Sequence, residues 1–154
     1  MLFRSRKSLG ELARAWRQQF SIPLVVVTGS NGKTTVKEMI ASIFREAAGS
    51  SHTLVTEGNF NNDIGLPLTL LKLRPDHRLA VIELGMNHPG ETSELAEIAL
   101  PTITLINNAQ REHQEFMKSV EAVAVEHADA LKALPVDGIG VFPGNTPFSE
   151  LWKK

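Results

Sequence analysis

The residues best suited to chemistry lie in a glycine-rich run that follows a short apolar segment. The run GSNGKTT directly follows LVVVT. Glycines let backbone N–H groups point into such a loop, a lysine reaches the outer phosphates, and the next hydroxyl suits Mg²⁺. The run therefore predicts a nucleoside triphosphate site formed by Gly29, Ser30, Asn31, Gly32, Lys33, Thr34 and Thr35. Val27 stands where GxxxxGK[ST] has its first glycine, so the match is to the GK[ST] half with a shorter loop. The alternative is a glycine-rich strand-to-helix turn with a solvated lysine.

Two further polar clusters follow apolar segments, ELGMN from Glu83 and NNAQREH from Asn107. Because ligands gather at the carboxyl ends of parallel strands, we expect both clusters beside the glycine-rich run. A buried carboxylate at Glu83 needs a partner or a metal ion. An exposed strand-end acid is the alternative there. Imidazole is an uncommon Mg²⁺ ligand, so His113 is by its chemistry equally a hydrogen-bonding or surface histidine.

Asparagines and one further histidine complete the candidate residues. Asn59, Asn61 and Asn62 precede a predicted helix, where asparagine also serves as an ordinary turn or cap residue. His127 lies on the apolar face of a later predicted helix, so its side chain is expected to point inward. A satisfied core histidine is the simpler interpretation of that position.

Alternating apolar segments position these residues. Strands are predicted at 24–29, 52–55, 78–84, 102–106 and 138–142. Helices are predicted at about 8–19, from the glycine-rich run to Gly49, after a cap at Asp63, at 92–100, and from a cap at Ser119 through Leu134. Strands that alternate with helices indicate an α/β fold, a mainly parallel sheet flanked by helices with right-handed crossovers.

Composition excludes several classes of protein. The 154 residues suffice for one domain with a packed core, at 42% hydrophobic and 21% charged residues. A formal net charge of −1 and no long basic run argue against nucleic acid as a partner. Without cysteine there is no disulfide framework, and no apolar run approaches the length of a membrane span. We therefore expect a cytoplasmic protein.

Four motifs together carry a family resemblance. The segments TGSNGKTTVKEM, TEGNFNNDIGLPLTLL, VIELGMNHPGE and NNAQREHQEFM cover most of residues 20–130 and resemble the Mur ligase family. The resemblance implies the P-loop NTPase-like central domain of that family, in truncated form. Residues 1–22 would be a lead-in helix and linker, and 23–154 the first portion of the ATP-binding domain. The family's UDP-binding and C-terminal ligase domains would lie outside this chain, so the isolated chain is expected to be inactive.

The resemblance also implies a reaction. It is ATP-dependent amide formation in peptidoglycan precursor synthesis, joining D-alanyl-D-alanine to a UDP-N-acetylmuramoyl-tripeptide through an acyl phosphate. Lys33, Glu83 and His113 would be catalytic, with ATP and Mg²⁺ required. Thr34 would hold one Mg²⁺, and Glu83 with His113 a second. Asn59 and Asn62 would line a loop that faces substrate and phosphate.

Two positions depart from the family pattern. His127 stands where many members carry a carbamylated lysine, and neither Lys118 nor Lys132 falls in register. The hypothesis is that His127 takes part of that lysine's role by bonding a metal-bound water or the substrate. GNT at 144–146 replaces a turn that usually contains aspartate, so we expect an incomplete adenine pocket.

Two alternative functions remain open at this point. The first alternative to this ligase is a nucleotide-binding fragment without ligase activity of its own, and the second is a related enzyme. A neighbouring amide ligase, such as a diaminopimelate-adding, lysine-adding or folylpolyglutamate enzyme, would share the phosphate loop. It should not share GNFNND, ELGMN and NNAQREH together. The sequence leaves the oligomeric state open.

Overall fold

The centre of the fold is a five-stranded parallel sheet. The structure is a computed structural model that describes residues 2–111 and 116–153, with side chains from residue 5 onward. Its strands are β1 Leu24–Thr28, β2 Thr53–Val55, β3 Leu79–Glu83, β4 Ile103–Ile106 and β5 Ile139–Val141. All neighbours pair in parallel in the order β2-β3-β1-β4-β5, which confirms the predicted fold class.

Helices cover both faces of the sheet. They are α1 Leu2–Arg17, α2 Lys33–Ala48, α3 Gly65–Leu70, α4 Glu91–Ala99, α5 Val120–Asp129 and α6 Ser149–Trp152. Short 3₁₀ turns lie at Ser50–His52 and Leu131–Ala133. None of the helices among the described residues has the combined length and apolar character of a membrane span.

The apolar run of β1 explains the layered packing. All five of its residues are buried, as expected of a strand covered on both faces. Val26 and Ile82 pack with residues of α1, α3 and α4 on one face. Val25 and Val27 pack against α2 on the other. The central strand is therefore fixed on both sides where it enters the glycine-rich run.

Helix α1 packs directly against the domain. Ala13 is fully buried among residues of α3 and α4, and Trp16 donates from Nε1 to the carbonyl of Leu73 at 3.1 Å. The buried guanidinium of Arg17 donates to four backbone carbonyls, those of Phe20, Ile22, Ala99 and Leu100. Burial lowers the pKa of Arg17. These contacts fasten α1 and the following turn to the end of α4.

Several predicted helix boundaries are wrong. Helix α1 begins at Leu2 and ends at Arg17, and α5 ends at Asp129 with a 3₁₀ turn after it. Asp63 does not cap α3. Instead Asn62 Oδ1 accepts the N–H groups of Ile64 and Gly65, at 3.2 and 2.8 Å.

The cap at Ser119 is confirmed, since its Oγ accepts the Ala122 N–H at 3.1 Å. The four-residue helix α6 is not predicted by the sequence pattern.

The strand register brings the polar clusters to one edge. Val27 of β1 lies opposite Glu83 of β3, and Thr28 lies opposite Ile106 of β4. The glycine-rich run, the ELGMN segment and the NNAQ segment therefore leave the sheet side by side, as predicted.

Candidate functional site

The glycine-rich run forms a tight loop between β1 and α2. Gly29 and Gly32 both have positive φ, at 131° and 74°, a region that side-chain-bearing residues rarely adopt. Helix α2 begins immediately afterwards at Lys33. First-turn N–H groups of a helix have no partner within the helix, and they carry the positive end of its dipole. The loop thus has the form of an anion site.

Lys33 folds back over this loop. Its Nζ donates to the carbonyl of Gly29 at 2.6 Å and to that of Ser30 at 3.2 Å. The side chain is partly buried, so its ammonium group is held at the mouth of the loop. A phosphate oxygen could replace either carbonyl as its acceptor.

Thr34, in the first turn of α2, contacts Glu83 at the end of β3. The Thr34 hydroxyl donates to Glu83 Oε2 at 2.8 Å, and the Asn61 amide donates to Glu83 Oε1 at 2.8 Å. Glu83 is only 2% exposed, so the alternative of an exposed strand-end acid is wrong. Burying a carboxylate is costly unless its oxygens are bonded, and both are bonded here.

Residues behind Glu83 fix its backbone. The Glu83 N–H donates to Thr56 Oγ1 at 2.9 Å, and Lys37 Nζ donates to the Thr56 carbonyl at 2.8 Å. Lys37 is 1% exposed and pairs with Glu38 at 2.7 Å. Sequence reasoning missed Thr56 and Lys37. The only signal for Lys37 was its place at the fourth position after Lys33, on the same side of the helix.

The predicted asparagines have different positions in the structure. Asn61 contacts Glu83, whereas Asn62 uses its side chain to cap α3. Asn59 is exposed, and its carbonyl accepts the Asn61 N–H at 2.8 Å. The structure thus brings Asn61, rather than the predicted Asn59 or Asn62, next to the carboxylate.

The two candidate histidines differ in what the structure shows. His127 is 1% exposed, and its Nδ1 lies 3.0 Å from Thr28 Oγ1, directly before the loop. The predicted inward orientation is confirmed, and the ring lies beneath the loop rather than at its surface. His113 lies outside the described residues.

The donor atoms near the loop suit a magnesium ion. Thr34 supplies a hydroxyl and Glu83 a carboxylate, both hard oxygen ligands. Among residues 2–111 and 116–153, no group of three or more acidic, histidine or cysteine side chains could enclose a metal. Mg²⁺ commonly uses one or two protein oxygens together with waters and phosphates, so the two oxygens fit such an ion.

A second carboxylate shapes the segment after β3. Glu91 accepts the N–H groups of Asn87 and His88 at 2.7 and 3.1 Å, and the His88 ring at 2.8 Å. Burial alone would raise the pKa of Glu91, but these donors outweigh it and lower the pKa. Glu126 of α5 accepts from Gly90 and Thr92, at the start of α4.

Comparison with known proteins places these features in one family. A family model described as the Mur ligase middle domain matches residues 27–154. The UDP-N-acetylmuramoyl-tripeptide–D-alanyl-D-alanine ligase of Haemophilus influenzae is 43% identical over 151 residues, covering 97% of this chain and 33% of that protein.

Solved structures agree. MurF from Acinetobacter baumannii superposes with a TM-score of 0.91 at 34% identity, over 96% of this chain and 32% of that one. MurF ligase from Thermotoga maritima in complex with ADP gives 0.88 at 29% identity, over 97% and 34%. The chain spans about a third of the length of the relatives that it matches.

Proposed function

The chain belongs to the Mur ligase family through the middle domain of that family, and we propose that it supplies the nucleotide site of an ATP-dependent amide ligase. The proposed reaction joins D-alanyl-D-alanine to a UDP-N-acetylmuramoyl-tripeptide, the activity in the name of the H. influenzae relative. The observation that carries the proposal is the contact between Thr34 and Glu83, which sets a hydroxyl and a carboxylate beside a phosphate loop.

The loop would receive the nucleotide phosphates. The N–H groups that open α2 and the Lys33 ammonium are the donors in reach of an anion there. The T. maritima relative was crystallised with ADP, which supports a nucleotide as the ligand. Lys33 would neutralise charge as the phosphoryl group moves, because two anions must approach each other in that step.

Thr34 and Glu83 would hold Mg²⁺, with Asn61 orienting the carboxylate through its second oxygen. When bound, the ion supplies positive charge that offsets the phosphate oxygens. His113 belongs to this proposal as a metal ligand by family resemblance.

Substrate contacts complete the proposal. The tripeptide carboxylate would attack the γ-phosphorus of ATP and release ADP, which gives an acyl phosphate. The dipeptide amine would then attack the acyl carbon, lose its proton and release inorganic phosphate, so no protein nucleophile is needed. Asn59 is exposed on the loop before α3 and is the better placed of the two predicted asparagines to meet substrate. Asn62 would act through the cap of α3. His127 would act from beneath the loop, through Thr28.

The proposal includes a domain division and a location. Residues 23–154 would form the nucleotide-binding unit, and Arg17 of the lead-in segment 1–22 donates to the carbonyls of Ala99 and Leu100 in that unit. The relatives are about three times longer than this chain. We therefore propose that ligation also requires the UDP-binding and C-terminal ligase domains of the family. The proposed location is the cytoplasm, as the composition favours.

A domain exchange tests the function. Residues 27–154 would replace the matching segment of the H. influenzae ligase, and thermal unfolding would verify that the chimera folds. We expect ATP-dependent joining of D-alanyl-D-alanine to the UDP-linked tripeptide, and its loss in the chimera with Lys33→Ala. A folded chimera that makes the product equally well with Lys33→Ala would contradict the proposal, as would one that makes none.

A further inference from the structure

A short segment after β4 is hydrogen-bonded to the phosphate loop. The side chains of Asn107, Asn108 and Gln110, here called the amide clamp, all bond to the loop residue Asn31. The backbone of the same segment reaches Ser30. The Ser30 N–H donates to the Asn108 carbonyl at 3.1 Å, and the Gln110 N–H donates to Ser30 Oγ at 2.9 Å.

Asn108 bonds to Asn31 as a neighbouring strand would. Its Oδ1 accepts the Asn31 N–H at 3.0 Å, and its Nδ2 donates to the Asn31 carbonyl at 3.0 Å. One side-chain amide therefore satisfies both backbone groups of a single residue, one position beyond Ser30, whose own N–H donates to the Asn108 carbonyl. Asn107 adds a second donor to the same carbonyl, at 2.6 Å.

The two segments are also in close steric contact. A Cβ on Gly29 would lie 3.0 Å from the Asn108 nitrogen, and a Cβ on Gly32 would lie 2.9 Å from Asn107 Nδ2. Both glycines have positive φ, so the loop between them has wide conformational freedom unless something holds it. Within the described part of the chain, the amide clamp supplies the side-chain hydrogen bonds to Asn31, which lies between these two glycines.

We propose that Asn108 is a positioning residue that sets the phosphate loop before the nucleotide arrives. The inference rests on the proposed function and adds to it a residue outside the glycine-rich run. A flexible loop must lose conformational freedom on binding, and a loop already held in shape loses less. The clamp thereby raises nucleotide affinity through the shape of the loop, and the Asn108 side chain itself does not contact the phosphates.

Hydrogen exchange on the ligand-free 154-residue chain tests the clamp itself. The variants are Asn108→Leu, which removes both bonds, and Asn108→Asp, which keeps an acceptor for the Asn31 N–H but no donor for its carbonyl. Gln18→Leu is the control, because Gln18 is an exposed amide after α1, at the opposite end of β1.

In Asn108→Leu we expect the Ser30 and Asn31 amides to exchange at least about tenfold faster, with the sheet amides unchanged. Asn108→Asp should fall between this variant and wild type. Exchange at Ser30 and Asn31 that matches the Gln18→Leu control would overturn the proposal, as would acceleration spread evenly over the sheet.

Calorimetric titration with ADP and Mg²⁺ tests the consequence. Asn108→Leu should bind about tenfold more weakly than wild type, while Gln18→Leu should bind equally well. Equal or tighter binding by Asn108→Leu would overturn the positioning role, even if its loop exchanges faster. Wild-type chain that binds no nucleotide would instead count against the proposed function, and the exchange data would still decide whether the clamp holds the loop.

Discussion

Replacing Glu83 by glutamine should separate the folding of the site from its use of metal. Glutamine has the same size, and its Oε1 can accept from Asn61 while its Nε2 donates to Thr34 Oγ1, whose hydroxyl can also accept. The two bonds are therefore remade in neutral form.

The effect on stability without metal follows from two opposed terms. Two hydrogen bonds to a charged group are worth about 1.5–3 kcal/mol each, and their neutral counterparts about half as much. Against that loss, the variant removes the cost of burying a charge, which is on the order of several kcal/mol even after relaxation. Glu83 is 2% exposed, so both terms apply nearly in full. We expect the free energy of unfolding of Glu83→Gln, measured in EDTA, to lie within about 2 kcal/mol of the wild-type value.

The effect on metal binding should be large. A ligand at a hundred times its dissociation constant stabilises a folded protein by about 2.7 kcal/mol. For a domain of this size that corresponds to a rise in Tm of roughly 5–10 °C. Thermal unfolding with ADP would be recorded in Mg²⁺ and in EDTA. Wild type and the exposed control Glu46→Gln should show the Mg²⁺-dependent rise, and Glu83→Gln should lose most of it.

An undiminished Mg²⁺-dependent rise in Glu83→Gln would refute the assignment of this carboxylate as a metal ligand. If the free energy of unfolding of Glu83→Gln in EDTA were more than about 4 kcal/mol below that of wild type, the balance between charge burial and hydrogen bonding would be refuted.

Three further predictions concern other parts of the domain. Burial, with a smaller contribution from Arg74, lowers the pKa of His77 below 6.5, so the free energy of unfolding should fall as pH drops below 6.5, where the unfolded chain binds the extra proton. His77→Asn, which keeps an acceptor for the Arg74 N–H, should weaken that pH dependence in urea titrations; an unchanged slope would contradict it. Glu126→Gln should cost about 1–3 kcal/mol in urea unfolding, because an NH₂ group would face N–H donors at the start of α4, and an unchanged midpoint would contradict this. Gly32→Ala should weaken binding of ADP in a calorimetric titration by about tenfold or more, because its φ is 74° and its Cβ would press on Asn107; wild-type affinity would contradict that expectation.

The fold could be predicted from the sequence because its apolar segments are short, regular and well separated. LVVVT is apolar enough to be buried on both faces, and it is. Helix ends were harder. Leu131 and Leu134 continue the apolar spacing of α5, but residues 131–133 form a 3₁₀ turn, whose spacing of three is close to that of an α-helix.

The site could be predicted only as far as its motifs reach. Lys33 and Thr34 follow from the glycine-rich run, and the parallel strand order brings Glu83 beside them. The choice among three asparagines within four residues depends on the backbone of one loop. Spacing alone does not show which of them faces Glu83, and Asn61 does.

Contacts between residues that are distant in sequence could not be predicted from the motifs. His127 could be predicted to point inward from helical spacing, but its partner Thr28 lies 99 positions away in sequence. Asn108 belongs to a recognised motif, yet its pairing with Asn31 depends on the relative height of two strand ends.

Calorimetric titration of the 154-residue chain with ADP and Mg²⁺ tests most directly whether the phosphate loop binds a nucleotide. Lys33→Ala serves as the paired variant, because Lys33 Nζ sits at the loop mouth on the carbonyls of Gly29 and Ser30. We predict saturable binding with one nucleotide per chain, and its loss in Lys33→Ala while the variant stays folded. Equal binding by wild type and Lys33→Ala, or no binding by a folded wild-type chain, would contradict nucleotide binding by this loop.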